Sequence, residues 1–186
     1  MTENKPTFVL LSGGVDSTAC VHYYLSQGFD VRGCFIDYGQ IANKNEYNSA
    51  INIASFYRIH LDHLILKSLR SYSQGEIKGR NAFLVLALLL ANPRMKGIIS
   101  MGIHSGTPYY DCSELFINDI NMILNGYTDG QTVLEAPFLK WDKKMVYRYC
   151  EKYKLPIHLT YSCENGTDVP CGRCLSCLDR SALNVG

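Results

Sequence analysis

Hydrophobic residues along this chain form short runs, and amphipathic stretches separate the runs. The short runs predict buried strands, because they are bounded by turn residues and are too short for most helices. The stretches between them place apolar residues on one face at helical spacing, which is typical of helices that cover a sheet. The predicted strands are residues 7–11, 29–36, 58–66, 97–102 and 132–135, and the predicted helices are residues 15–27, 43–57, 81–92, 113–124 and 142–154.

The alternation of strands and helices predicts an α/β protein of the Rossmann-like type, with a parallel sheet covered by helices on both faces. Ligands of such sheets bind at the carboxyl ends of the strands. We therefore expect the chemistry in the loops after the first four strands. No repeat or linker interrupts the pattern, so residues 1–186 are predicted to form one domain, and the alternation stops only after Pro156.

The composition supports a substantial core, since 47% of the residues are hydrophobic and 19% are charged. The formal net charge of +1 argues against bulk electrostatic capture of nucleic acid. The longest apolar run, residues 82–91, is too short to cross a bilayer. The polar start predicts no signal peptide, so a cytoplasmic location is expected.

The first candidate site is Ser-Gly-Gly-Val-Asp-Ser-Thr at residues 12–18, between the first strand and the first helix. Gly13 and Gly14 permit positive φ and a close approach to a ligand, and the helix start adds N–H donors and a positive dipole end. This arrangement favours a bound phosphate. Asp16 is interpreted either as a helix N-cap or as a magnesium ligand. An ordinary strand–turn–helix connection is the alternative.

Two further loops carry polar candidates. Asp37 and Gln40 follow the second strand, where Asp37 would either accept hydrogen bonds from ribose or form a turn. Arg80 and Asn81 precede a strongly apolar helix. The guanidinium of Arg80 suits a phosphate or a carboxylate, or it is a solvated charge, and Asn81 is predicted to cap the helix.

The loop after the fourth strand is rich in turn and polar residues, as binding loops tend to be. His104 is the only histidine in a predicted site loop, because the other four fall on predicted helix or strand surfaces. Asp111 or Ser113 is predicted to cap the next helix.

The C-terminal region contains four cysteines in a pattern typical of metal ligands. Three follow a CxxCxxC spacing, and the fourth lies eight residues before them. Four thiolates suit a structural tetrahedral zinc, although an iron–sulfur cluster uses similar spacing. Without a secretory signal, reduced thiols are favoured over disulfides. The predicted zinc knuckle spans residues 160–180, with the ligands Cys163, Cys171, Cys174 and Cys177.

These segments together resemble the 7-cyano-7-deazaguanine synthase family of PP-loop ATP pyrophosphatases. Residues 12–18 match the PP-loop, which is not a Walker A loop because no Gly-Lys-Ser or Gly-Lys-Thr follows. The other matching segments occur in family order at residues 37–40, 79–84, 105–108, 111–116 and 160–177.

The resemblance implies a ligase with an adenine nucleotide alpha hydrolase fold. ATP with Mg²⁺ would adenylate 7-carboxy-7-deazaguanine, ammonia would displace AMP to give an amide, and a second activation would give the nitrile. The resemblance also implies structural zinc and a homodimer, with no membrane and no stable nucleic-acid partner. The implied catalytic residues are Asp16, Ser17 and Arg80; the ATP-binding residues are Leu11, Ser12, Gly13, Gly14, Val15, Asp16, Ser17, Thr18, Asp37 and Gln40; the substrate-binding residues are Arg80, Asn81, His104, Gly106, Asp111 and Glu114.

The departures from the family pattern cluster on the substrate side. His104 stands where the family usually has aspartate, Ser113 replaces a common arginine, and Ile41 and Ala42 replace basic residues. One residue is inserted before Asp111, and the chain is short for the family. A related ligase that stops at the amide, or that joins the activated acid to another amine, is therefore a second hypothesis. A non-catalytic zinc-knuckle module that binds RNA is the third.

Overall fold

The computed structural model describes residues 5–66, 72, 77–106 and 108–183. Thr107 and both ends of the predicted domain therefore lie outside the described residues. The strands are β1 (Pro6–Leu10), β2 (Asp30–Asp37), β3 (His60–Ile65), β4 (Gly97–Ser100) and β5 (Thr132–Glu135). The helices are α1 (Val15–Ser26), α2 (Asn43–Tyr57), α3 (Arg80–Ala91), α4 (Glu114–Thr128), α5 (Lys143–Lys152) and α6 (Leu175–Ala182), with 3₁₀ turns at Tyr110–Cys112 and Ile157–Leu159.

The five strands form one parallel sheet in the order β3-β2-β1-β4-β5. This arrangement confirms the predicted Rossmann-like α/β class. The strand order reverses between β1 and β4, and such a reversal opens a crevice at the carboxyl ends of the two strands. The loops after β1 and β4 are therefore the neighbours that should build a ligand site.

Two hydrophobic cores cover the two faces of the sheet, because side chains along β1 alternate. Val9 and Leu11 pack on the side of α1, α2 and α5. Phe8 and Leu10 pack on the opposite side, under α3 and α4. Burial on both faces explains why the strands appear as short apolar runs without polar alternation. Among the described residues, no helix has the length and apolar character needed to span a membrane.

Several element boundaries differ from the prediction for local reasons. The fourth strand stops at Ser100 instead of residue 102, because Gly102 lies against the backbone of Asp16. The predicted helix 113–124 continues through Gly126 to Thr128. Glycine destabilises a helix by only about 1 kcal/mol relative to alanine, so Gly126 does not end it. The remaining ends agree with the prediction to within two residues.

One predicted helix cap is confirmed and another is wrong. Ser113, one of the two predicted caps of α4, accepts a hydrogen bond from the backbone N–H of Phe116, and Asp142 caps α5 in the same way. Asn81 is not a cap, because Gly79 precedes α3 in the left-handed conformation and Asn81 lies inside the first turn. Helix α6 was not predicted, since its eight residues overlap the cysteine motif and follow no apolar alternation.

A ring cluster between α1, α2 and α5 makes a pH-dependent contribution to stability. His22 lies within hydrogen-bond distance of the Tyr149 hydroxyl, at 2.7 Å, and its ring also packs against Tyr57 and Tyr153. Burial lowers the pKa of His22. The unfolded chain therefore binds this proton more readily, and stability falls as the pH drops below the ordinary histidine value of about 6.5.

We expect urea unfolding to show this loss between about pH 7.5 and 5.5. His22→Asn should make the free energy of unfolding less dependent on pH in that window, because the titrating group is gone. Equal pH slopes for the wild type and the variant would contradict the assignment.

Candidate active site and metal centre

The loop after β1 is shaped by glycine and is enclosed by neighbouring elements. Gly13 has φ of 81°, and a Cβ atom built on it would lie 2.4 Å from the carbonyl oxygen of Glu46 in α2. Gly14 precedes α1 in an extended conformation. The first-turn N–H groups of α1 have no preceding carbonyl partner within the helix, so they and the dipole end face the loop. This is the geometry of an anion site.

The hydroxyl groups of the loop do not all serve that site. Ser17 and Thr18 are buried, and both donate to the carbonyl oxygen of Gly14, at 3.0 and 2.8 Å. Ser12 is exposed at the mouth of the loop. Leu11 and Val15 are buried, so only their backbone is available to a ligand. Ser17 and Thr18 thus stabilise the loop, whereas Ser12 is the hydroxyl at its surface.

Asp16 is a member of an ion pair and not a helix cap. The cap position of α1 is Gly14, which corrects the first of the two predicted roles of Asp16. Its Oδ2 atom accepts a hydrogen bond from the Nζ atom of Lys143, at 2.5 Å, and both side chains are largely buried. Lys143 begins α5, just beyond the carboxyl end of β5. Sequence reasoning missed it, although its place after a strand end was a usable signal.

The second predicted role of Asp16, as a magnesium ligand, fits the structure. Its Oδ1 atom is buried and has no hydrogen-bond partner among the described residues. Mg²⁺ is typically held by one or two carboxylates together with substrate phosphates. Asp16 is therefore placed to share a metal ion with an anion in the loop, and Lys143 adds a positive charge beside it.

The close packing of the loop gives a prediction about stability. Gly13→Ala adds strain at positive φ and a clash with α2, for which we expect about 2–5 kcal/mol of destabilisation. Gly28→Ala is the matched control: Gly28 has the same φ of 81°, but no atom lies within 4 Å of the position that an added Cβ would take. That variant should lose only about 1–2 kcal/mol. Urea denaturation measures both, and equal losses would contradict the packing argument.

The loop after β2 is stabilised by the side chains that were predicted to contact ATP. Asp37 accepts hydrogen bonds from the backbone N–H of Gly39 and from the amide of Asn43. Gln40 accepts from the N–H of Tyr38 and donates to the carbonyl oxygen of Ile36. Asp37 thus forms the turn that was the alternative interpretation. Within the part of the chain that the structure describes, no hydrogen bond or ion pair joins Asp37 or Gln40 to the loop after β1.

Arg80 and Asn81 connect three segments at the start of α3. The Nε atom of Arg80 donates to the Oδ1 atom of Asn81, at 3.2 Å, and the buried amide of Asn81 donates to the carbonyl oxygen of Asp111, at 3.3 Å. Arg80 also lies beside Tyr38, where it opposes the rise that burial causes in the tyrosine pKa. Arg80, Asn81 and Asp111 are therefore brought together, and their role as a substrate subsite stays a prediction.

His104 lies in the neighbourhood of the ion pair. Burial lowers its pKa; the nearby Asp16 carboxylate opposes this effect, and Lys143 adds to it. The backbone N–H of Gly106 donates to its Nδ1 atom, at 3.1 Å, so the proton of the neutral ring is on Nε2. Ser105 anchors this loop through two hydrogen bonds to the carbonyl oxygen of Trp141. His104 is thus a neutral donor beside Asp16 and Lys143.

Glu114, another predicted substrate residue, forms an ion pair at the surface. It is exposed, and it pairs with the exposed Lys140 at 2.9 Å. Ser113 donates to the carbonyl oxygen of Tyr110 and caps α4. This part of the predicted substrate subsite therefore presents no positive charge from residue 113.

The four predicted metal ligands converge on one point. Every pair of their Sγ atoms lies within 4.8 Å. A tetrahedral zinc site with Zn–S bonds of about 2.3 Å requires sulfur separations of about 3.8 Å. The Cys171 and Cys177 Sγ atoms are 4.0 Å apart. The donor set and its size fit one tetrahedral metal ion.

The protonation of the cluster also favours a cation. Burial acts to raise the pKa of Cys163, but N–H donors led by that of Cys171 lower it overall. The pKa of Cys177 is raised, first by burial and then by neighbouring thiols. Four adjacent thiolates repel one another, so a divalent ion is needed for all four to ionise together.

Comparison with known proteins shows a match over nearly the whole chain. The family model described as "Queuosine biosynthesis protein QueC" matches residues 6–78 and 70–184. The chain is 31% identical to the 7-cyano-7-deazaguanine synthase of Prochlorococcus marinus (strain NATL1A), over 98% of this chain and 95% of that protein. It is 30% identical to the enzyme of the same name from Synechococcus sp. (strain CC9311), over 100% and 96%.

Solved structures support the fold. The chain is similar to an NMN synthetase from Francisella tularensis, with a TM-score of 0.58 and 15% identity over 98% of this chain and 73% of that one. It is also similar to an NH3-dependent NAD synthetase from Campylobacter jejuni, with a TM-score of 0.52 and 17% identity over 87% and 71%. At these identities the likeness concerns architecture alone.

Proposed function

Because the chain belongs to the QueC family of queuosine biosynthesis proteins, we propose that it converts 7-carboxy-7-deazaguanine and ammonia to 7-cyano-7-deazaguanine with ATP. The observation that carries the proposal is the ion pair of Asp16 and Lys143 at the glycine loop. Together with the similarity to the synthases over the whole chain, it supports an ATP-dependent ligase that forms C–N bonds.

In the first step, a carboxylate oxygen of the acid attacks the α-phosphorus of ATP, and the bond to the β-phosphate breaks. Negative charge grows on the leaving pyrophosphate, where the loop N–H groups and Lys143 stabilise it. A magnesium ion held by Asp16 would supply further neutralisation of the phosphate charge. Arg80 orients the acid through its guanidinium, and positioning contributes much of the rate.

In the later steps, ammonia attacks the acyl carbon and AMP leaves with one of the original carboxylate oxygens. The resulting amide oxygen then attacks a second ATP. Loss of AMP and protons from that adduct leaves the nitrile. His104, whose pKa responds to the charges of Asp16 and Lys143, would donate its Nε2 proton in a hydrogen bond to the reacting acyl group.

Mass spectrometry of the products tests the proposal. Protein incubated with the acid, ammonium, ATP and Mg²⁺ should yield AMP, pyrophosphate and a nitrile that has lost both carboxylate oxygens. Omission of ammonium should stop nitrile formation. Absence of both AMP and nitrile at saturating substrates would contradict the proposed function.

A second candidate is a ligase that stops at the amide or joins the activated acid to another amine. It is favoured by the substrate side, where His104 and Ser113 replace residues that the family usually has, and where Ser113 is occupied as a helix cap. AMP release with an amide or a conjugate, and without nitrile, would identify this reaction in the same assay. Membership of an enzyme family argues against the third hypothesis, a non-catalytic module that binds RNA.

The metal at the four cysteines is proposed to be zinc with a structural role. The sulfur separations suit a tetrahedral ion, and all four protein ligands leave no coordination position for chemistry. Elemental analysis should give one zinc per chain. Iron with an absorption band in the visible range would identify the iron–sulfur alternative.

We also propose a homodimer in the cytoplasm. Helices α3 and α4 cover the same face of the sheet, and each leaves apolar side chains exposed. The most exposed of them are Leu90, Leu115, Met122 and Tyr127. A contact between two copies would cover such a surface. Analytical ultracentrifugation of the wild type and of Leu90→Glu tests it, since a monomeric wild type would contradict the proposal.

A further inference from the structure

The segment of residues 160–163, here called the strap, joins the glycine loop to the cysteine cluster. The backbone N–H of Tyr161 donates to the carbonyl oxygen of Gly13, at 3.0 Å. A Cβ atom on Gly14 would lie 3.8 Å from the carbonyl oxygen of Tyr161. The last residue of the strap is Cys163, one of the four clustered cysteines. The strap therefore contacts the phosphate site at one point and the metal site at another.

The other end of the strap is held by the C-terminal helix. The Nη1 atom of Arg180 donates to the carbonyl oxygen and the hydroxyl of Thr160, at 3.2 and 3.1 Å, and reaches the Ser162 hydroxyl at 3.5 Å. Arg180 is in α6, which begins directly after Cys174 and contains Cys177. The position of Arg180 thus depends on the same cluster that holds Cys163.

The cysteine region makes a second contact with the nucleotide side. Asn45 of α2 donates to the carbonyl oxygen of Gly166, at 3.1 Å. Gly166 packs so closely that a Cβ atom would lie 2.5 Å from the carbonyl oxygen of Ile41, which follows the loop after β2. The region between Cys163 and Cys171 therefore lies against the end of the loop after β2 and the start of α2, while Tyr161 of the strap contacts the glycine loop.

Hydrogen bonds join the segments of this region, but its buried core is small and is built mainly from the cysteines. Its buried cluster consists of Cys163, Cys174 and Cys177, with Tyr161 and Cys171 packed against them. Small units without an adequate apolar core usually depend on a metal or on disulfides. For structural zinc sites the binding free energy is also folding free energy. Metal occupancy should therefore decide whether α6 and the strap keep their positions.

We propose that metal binding at the four cysteines and nucleotide binding at the glycine loop are thermodynamically coupled through the strap, with Arg180 as the positioning residue. This inference rests on the proposed function, because it assumes that the loop binds ATP. Such coupling is reciprocal: if the metal raises nucleotide affinity, the nucleotide raises metal affinity by the same factor. Bound ATP should then slow the loss of the metal.

The first test measures release of the metal from the wild-type protein. An organomercurial reacts with the cysteine thiols and so releases the metal, and a chelating dye reports the freed ion. The measurement is made with and without MgATP. We expect saturating MgATP to slow release by about five- to tenfold, which is at the lower end of typical coupling strengths. Equal release rates with and without bound MgATP would overturn the coupling alone, whereas failure of MgATP to bind would overturn both this inference and the proposed function.

The second test changes Arg180. Arg180→Gln should keep one metal per chain but weaken MgATP binding by about tenfold and abolish the protection against metal release. Because the variant and the wild type are assayed in the same MgATP solution, any direct chelation of the metal by ATP is equal in both and cannot explain a difference between them. Arg94→Gln, at an exposed arginine in the turn before β4, is the matched control and should keep full protection. Arg180→Lys should restore part of the effect.

A merely structural arginine would give a different result. In that case Arg180→Gln would lower the thermal midpoint, yet MgATP would still slow metal release from the folded variant by the wild-type factor. Circular dichroism at the assay temperature establishes that the variant is folded. Retained protection in folded Arg180→Gln would overturn the role of Arg180.

Discussion

Replacing Asp16 by asparagine should lower the rate of AMP formation by about two to three orders of magnitude, which is typical for loss of a preorganised electrostatic group. The substitution removes the charge that would hold magnesium beside the phosphates. It also leaves the Nζ atom of Lys143 largely buried without its carboxylate partner. Rapid-quench measurement of AMP at saturating ATP gives the rate.

The control separates chemistry from stability. Asp30→Asn changes an exposed carboxylate at the start of β2, at the opposite end of the sheet, and should leave the rate unchanged. The double variant Asp16→Asn with Lys143→Met should recover stability relative to Asp16→Asn, because no unpaired ammonium remains, but it should not recover the rate. A near wild-type rate in folded Asp16→Asn would show that the pair is only structural.

Replacing Cys174 by serine should abolish stoichiometric metal binding and unfold the C-terminal region. Apparent binding free energies of structural zinc sites are about 10–16 kcal/mol, far more than the region's own packing supplies. We expect metal content to fall from one ion per chain to near zero. Trypsin should then cleave within residues 160–183, at sites that are protected in the metal-bound wild type.

Cys112→Ser is the matched control, since Cys112 lies outside the cluster and is half-buried. Elemental analysis should find its metal content unchanged. Full metal occupancy in Cys174→Ser would contradict a four-cysteine site. Loss of metal without any change in proteolysis would instead show that the metal does not organise the tail.

Much of the fold could be predicted because each local signal agrees with the sheet. The apolar runs are buried on both faces, and strands and helices alternate without interruption. Two local patterns were also informative. The glycine pair at Gly13 and Gly14 predicts a tight turn that can hold an anion, and the spacing of the cysteines predicts that their sulfur atoms converge. The family and the α/β class followed from them and are confirmed.

The features that could not be predicted depend on long-range contacts. The partner of Asp16 is Lys143, 127 positions later, so no local pattern joins them. Helix α6 has only eight residues and is positioned through Cys177 and Arg180. Its place therefore depends on contacts at the cysteine cluster more than on the helix propensity of its own sequence. Asn81 was expected to cap α3, but its amide instead donates to the carbonyl oxygen of Asp111, 30 positions later.

Transfer of labelled oxygen tests the central claim, that a carboxylate attacks ATP at the Asp16–Lys143 site, most directly. The acid is supplied with both carboxylate oxygens as oxygen-18, and AMP is analysed by mass spectrometry after reaction with ammonium and MgATP. The account predicts AMP that is heavier by one oxygen-18 in the wild type, and the same labelled AMP formed about two to three orders of magnitude more slowly with Asp16→Asn. Unlabelled AMP from the wild type would contradict it, because water or another group would then have attacked the phosphorus.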